Sequence, residues 1–228
     1  MISVAIDGPS GAGKSSISRK AAEIFGFIYV DTGAIYRTIG LAAFRRGYDT
    51  KDKDLILPML PELSIELKYN DMGEQRMYLD GEDVSADIRL PEISMCASDV
   101  SAMQEVRTFL MDMQRGMAKK YNVIMDGRDI GTVILPDAAV KIFLTASPEA
   151  RAYRRYLELQ AKGVDTSLED VLIDMKKRDE QDTNRAAAPL KAAEDAVILD
   201  SSDIDFDETL MRVCTIISEK TGAKAVKE

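Results

Sequence analysis

The stretch Ile2-Ser3-Val4-Ala5-Ile6-Asp7-Gly8-Pro9-Ser10-Gly11-Ala12-Gly13-Lys14-Ser15-Ser16 decides the fold. Ile2 to Ile6 is a short apolar run rich in β-formers, the pattern of a buried strand. Gly8 to Ser15 then matches G-x-x-x-x-G-K-[ST] at every fixed position. Glycines at positions 8, 11 and 13 permit positive φ and close backbone approach. Within the loop Gly8-Pro9-Ser10-Gly11-Ala12-Gly13, the N–H groups of the residues other than Pro9 can therefore turn inward around phosphate oxygens, at a helix N-terminus. In such a loop Lys14 reaches the β- and γ-phosphates of ATP. Ser15 ligates Mg²⁺, and Ser16 adds a phosphate hydrogen bond. Lys14 to Phe25 reads as the helix, with Gly26 as its stop.

Outward from this unit, strands and helices alternate. Strands are expected at Phe27–Val30, Asn122–Met125, Val140–Leu144 and Ala196–Leu199. Helices are expected at Ala34–Arg46, Asp54–Leu60, Pro91–Lys120 (in two pieces), Pro148–Lys162, Leu168–Gln181 and Phe206–Lys220. That alternation implies an α/β fold with a parallel sheet covered on both faces. One segment breaks the rhythm. Leu63 to Val84 shows period-two alternation interrupted by turn signals at Asn70–Gly73 and Asp80-Gly81. It reads as a small antiparallel sheet inserted at residues 62–97 of a single domain spanning 1–228.

Composition narrows the chemistry. The chain has 228 residues, 46% hydrophobic, enough for one sizeable core with small lobes. It has no histidine, which removes Ser-His-Asp hydrolysis and histidine metal sites. Phosphoryl transfer needs neither, because the protein chiefly positions groups and neutralises charge. A net charge of -9 argues against a general nucleic-acid reader. No apolar run approaches the roughly 20 residues of a membrane span. Cys96 and Cys214 read as separate reduced thiols. A cytoplasmic monomer acting on small molecules is expected, with no nucleic-acid or membrane partner. Arg151, Arg154 and Arg155 fall within one helical turn, with Glu158 placed to relieve Arg154. Such a basic cluster suits an arriving anion.

Five segments together carry a resemblance. They are Ile6 to Lys14, Asp31-Thr32-Gly33-Ala34-Ile35-Tyr36-Arg37, Asp126-Gly127-Arg128-Asp129-Ile130-Gly131-Thr132, Lys177-Arg178-Asp179, and Asp182-Thr183-Asn184-Arg185. On these the chain resembles the bacterial cytidylate kinases, P-loop nucleoside monophosphate kinases that phosphorylate CMP and dCMP from ATP. The likeness runs from Ile2 to Ser201, and it implies a five-stranded parallel core and a short lid at 148–166. It assigns the acceptor phosphate to Arg37, with the Thr32 hydroxyl nearby, and to Arg128. It assigns base reading to Asp129, Ser98 and Arg107. Asp182 matches the ribose contact, Arg178 and Arg185 match phosphate contacts, and Arg151 and Arg155 are the lid arginines. Ser15-Ser16 stands where many relatives have Gly-Thr, so which hydroxyl meets magnesium stays open. Asp126 is a further candidate for holding magnesium, through water.

Overall fold

The structure is a computed structural model, and it describes residues 1–226. Lys227 and Glu228, the end of the expected 1–228 domain, lie outside the described residues. The chain forms two compact units, Met1–Tyr29 with Ala118–Glu228, and Val30–Met117. We call them the loop unit and the inserted unit.

In the loop unit, β1 (Ser3–Asp7) is flanked in parallel by β6 (Val123–Gly127) and β7 (Val140–Thr145), and β8 (Val197–Asp200) pairs parallel with β7. With β2 (Ile28–Asp31) the sheet has five strands in the order β2-β6-β1-β7-β8. Val4 and Ile6 are fully buried, as a central parallel strand requires. Helices α1 (Lys14–Phe25) and α8 (Phe206–Thr221) bury Ile17, Ala21, Val213 and Ile217 against this sheet. Helix α1 ends as read from the sequence: Gly26 sits at φ 64 and its N–H returns to Ala22 and Glu23. Helices α6 (Pro148–Ala161) and α7 (Leu168–Asn184) share a smaller cluster of Ala152, Val171 and Met175.

The inserted unit has a core of its own, built from Ile35, Ile39, Ile56, Met77, Ile88, Ile93, Val106 and Leu110. Its strands β3 (Ile65–Tyr69), β4 (Gln75–Leu79) and β5 (Glu82–Asp83) are antiparallel, in that order. Its helices are α2 (Thr32–Arg45), α3 (Lys53–Met59), α4 (Pro91–Ser101) and α5 (Gln104–Lys120). The segment 62–97 lies within this unit. Helix α2 starts two residues before the expected Ala34. Asp31 caps it, its carboxylate accepting the Ala34 N–H at 2.9 Å. Among the described residues no helix is long and apolar enough to cross a membrane, and Cys96 and Cys214 form no disulfide.

Helices α2 and α4 approach closely at Gly40. A Cβ there would lie 2.9 Å from the Ala97 backbone nitrogen and 3.0 Å from Cys96 Cβ. This glycine sets the spacing of the helices that carry Arg37 and Ser98. Alanine gains about 1 kcal/mol of helix propensity, but overpacking against rigid backbone costs up to about 3 kcal/mol. We expect Gly40→Ala to be destabilising overall by about 1 kcal/mol or more in urea unfolding.

Candidate active site

The phosphate-loop motif closes as its glycines allow. Gly8, Gly11 and Gly13 have φ of 148, 73 and 86. A side chain is excluded by backbone at Gly8 and would have to push aside the tip of Met175 at Gly11. A Cβ on Gly8 would meet the Leu144 carbonyl oxygen at 1.9 Å, and one on Gly11 would meet Met175 Cε at 2.5 Å. Lys14, 6% exposed, curls back so that its Nζ donates to the Pro9 carbonyl at 2.7 Å. Burial first, then the nearby Arg128, hold the Lys14 ammonium well below its ordinary pKa.

Ser15 Oγ donates to Asp126 Oδ2 at 2.8 Å, and Tyr29 donates to the other carboxylate oxygen at 3.0 Å. A hydroxyl and a buried carboxylate side by side are hard oxygen donors, the set that suits Mg²⁺. This pair involves Ser15, although both Ser15 and Ser16 are exposed. Among the described residues no three His, Cys, Asp or Glu side chains gather into a metal cage.

A second group lies in the same unit. Arg128 Nε donates to Asp182 Oδ2 at 2.9 Å. Arg185 stands 3.8 Å from Asp182 and 3.7 Å from Asp129. Arg178 donates to the Ser10 hydroxyl at 3.4 Å, which reaches the phosphate loop itself. Burial alone would raise the Asp182 pKa, but Arg128, Arg178 and Arg185 hold it below the ordinary 3.8. The arginines are thus gathered and kept apart by carboxylates before any anion arrives.

The three arginines of α6 do not form one patch. Arg151 is 3% exposed and each of its nitrogens is engaged. Nε donates to the Ala146 carbonyl, NH1 to the Ser10 carbonyl at 3.0 Å, and NH2 to Asp179 at 2.7 Å. Arg154 binds Ser201. Glu158 pairs with Arg155 at 3.1 Å, not with Arg154 as expected from helical spacing, and that pair is exposed.

In the inserted unit Arg37 is half-buried on α2 and forms no ion pair among the described residues. Thr32 and Ser98 are buried. Arg107, 2% exposed, donates to the Ser101 carbonyl at 3.2 Å and lies 5.5 Å above the Tyr36 ring. Sequence reasoning overlooked Gln75. Its amide oxygen accepts the Asp31 N–H at 2.8 Å and its amide nitrogen donates to the Asp31 carbonyl at 3.2 Å, clipping β4 to the start of α2. A lone glutamine in a strand carries no signal of that role.

The Arg128–Asp182 pair yields a stability test. A depressed native pKa adds stability above about pH 4, where an unfolded aspartate is ionised, and loses it as pH falls through the native value. Asp182→Asn leaves Arg128 short of its buried counter-charge, at a cost of about 3 kcal/mol near pH 7. The gap between variant and wild type is expected to narrow below about pH 4, measured by urea unfolding across pH.

Comparison with known proteins agrees over nearly the whole chain. The family model described as Cytidylate kinase matches residues 4–219. A cytidylate kinase of Caldicellulosiruptor bescii is 50% identical over 212 residues, covering 93% of each chain. One from Lactobacillus johnsonii is 46% identical, covering 96% of this chain and 95% of its own. One from Geobacter sulfurreducens is 47% identical, covering 96% and 94%. With a phosphate loop, a hydroxyl–carboxylate pair beside it and arginines gathered within reach of Ser10, the chain belongs to the cytidylate kinase family.

Proposed function

We propose that this chain transfers the γ-phosphate of ATP to CMP or dCMP, giving ADP and CDP or dCDP. The observation that carries the reading lies within the loop unit. Arg178, one of the arginines around Asp182, donates to Ser10 of the phosphate loop, so donor-type and acceptor-type groups adjoin.

The donor triphosphate sits on the N–H groups from Gly8 to Ser16, and Lys14 exchanges the Pro9 carbonyl for phosphate oxygen. Ser15 and Asp126 would hold Mg²⁺, which supplies positive charge for the phosphate oxygens when bound. Arg128 and Arg185 bind the acceptor phosphate, and Arg178 spans acceptor and donor. Arginine suits this work because its planar fork stays charged and binds phosphate through two N–H groups. The attacking oxygen needs no strong base, since a phosphate monoester loses its second proton near pH ~6. Asp129 accepts from the cytosine N4 amine, whereas the uracil carbonyl would face it unfavourably. Asp182 meets the ribose. The family resemblance further assigns Thr32 and Arg37 to the acceptor phosphate and Ser98 and Arg107 to the base. Arg155, half-buried and paired with the exposed Glu158, is the α6 arginine assigned to the incoming phosphate, while Arg151 braces the loop.

Steady-state assays with CMP, dCMP, UMP and AMP should show CMP and dCMP preferred. ADP release that ignores the acceptor would instead indicate a plain ATPase. Lys14→Ala should lower turnover about 10²–10³-fold, by analogy with loss of one preorganised charge-stabilising donor. Asp129→Ala should lower the ratio of kcat/KM for CMP over UMP, and an unchanged ratio refutes the base-reading role.

A further inference from the structure

Asp7 has no role in the mechanism above, yet it is built into the site. It is the last residue of β1 and immediately precedes Gly8, at 4% exposure. Both carboxylate oxygens are occupied by backbone donors 123 and 124 residues away. Oδ1 accepts the Ile130 N–H and Oδ2 accepts the Gly131 N–H, each at 2.7 Å. These two N–H groups open a π-helical turn, Ile130–Ile134, that directly follows Asp129. Such turns are rare and occur mostly as single features at functional sites.

The turn is closed from its other side. A Cβ on Gly131 would stand 3.2 Å from the Lys141 side chain and 3.4 Å from Asp7 Oδ2. Lys141 in turn is tied to Asp195 at 2.9 Å. Burial pushes the Asp7 carboxyl up to about 6, despite the two N–H bonds that oppose the shift. A strand end needing only to pack would avoid that cost with an apolar residue. Lys14 and Asp129 are both near enough to act on Asp7 electrostatically, from the donor side and the acceptor side.

We infer that Asp7 is a positioning residue for acceptor choice: its carboxylate clamps the Ile130 and Gly131 amides, so fixing Asp129 in register with the phosphate loop that begins one residue later. This rests on the base-reading role proposed for Asp129. Asparagine has the same shape but can accept only one of the two N–H groups and presents an NH₂ to the other. Alanine accepts neither.

The test compares wild type, Asp7→Asn and Asp129→Ala. Asp7→Asn should keep ATP affinity, measured without acceptor, within about threefold. Its kcat/KM for CMP should fall about tenfold or more, as for loss of a charged hydrogen bond. The CMP-over-UMP ratio should fall with it, and KM for CMP should rise more than KM for ATP. A variant that loses CMP and UMP turnover equally, with the ratio unchanged, shows a merely structural role and overturns the inference. If Asp7→Asn does not fold, amide hydrogen exchange on the wild-type enzyme decides. Slow exchange at Ile130 and Gly131 supports the clamp, and exchange as fast as in an open loop overturns it. The two readings fail separately: a wild type inactive on CMP sinks the proposed function, whereas an active one with Asp129→Ala sensitive and Asp7→Asn insensitive sinks only the clamp.

Discussion

Repulsion between buried cations is the constraint to which the rest of the loop unit responds. Lys14, Arg128, Arg151, Arg178 and Arg185 lie in one unit, and Lys14, Arg151 and Arg185 are nearly inaccessible. Two like charges 4 Å apart repel by about 4 kcal/mol at an effective dielectric of 20. Three of the four arginines lean on a carboxylate or carbonyl, Arg128 on Asp182, Arg151 on Asp179 and Ser10, and Arg185 on Asp129 and Ala188, while Arg178 donates to the Ser10 hydroxyl. Lys14 leans on Pro9 and feels Asp126 and Asp7. The acidic chain, at net charge -9, supplies counter-charges liberally. A site that must stabilise charge in transfer gains from this, because its dipoles are set before the reaction and need no reorganisation.

Much of the fold was legible because local signals and long-range packing agree. Glycine at 13 and 26 punctuates α1 at both ends, and the boundaries drawn from sequence match it. The antiparallel strands announced themselves through alternation and the Asp80-Gly81 turn, and they pair as expected. The start of α2 lay two residues early because a carboxylate cap, not apolar periodicity, begins it. The π-helical turn at Ile130 was invisible. It depends on a carboxylate more than 120 residues away, and no window over 126–134 contains that information.

The site divides in the same way. The phosphate loop is a contiguous motif whose residue types carry their own chemistry, so Lys14 and the two candidate hydroxyls, Ser15 and Ser16, could be named from sequence. The pairing of Ser15 with Asp126 speaks to the open choice between two adjacent hydroxyls, because only the fold brings β6 to one of them. Helical spacing grouped Arg151, Arg154 and Arg155, but neighbours on different faces of α6 separate them. One turns inward to Ala146, Ser10 and Asp179, one to Ser201, and one to Glu158. Spacing along a helix fixes which residues lie side by side, and the surrounding elements decide where each guanidinium goes.

The bond from Lys14 to the Pro9 carbonyl bears on how tightly a loop of this type can hold phosphate. A donor entering the loop replaces one oxygen with another, so only the difference between carbonyl and phosphate as partners appears in the binding free energy. The same carbonyl stands ready when the spent diphosphate leaves, and the ammonium never faces an empty, desolvated socket. An internal surrogate of this kind trims the net gain from any anion that displaces it, for a spent diphosphate as for a fresh triphosphate.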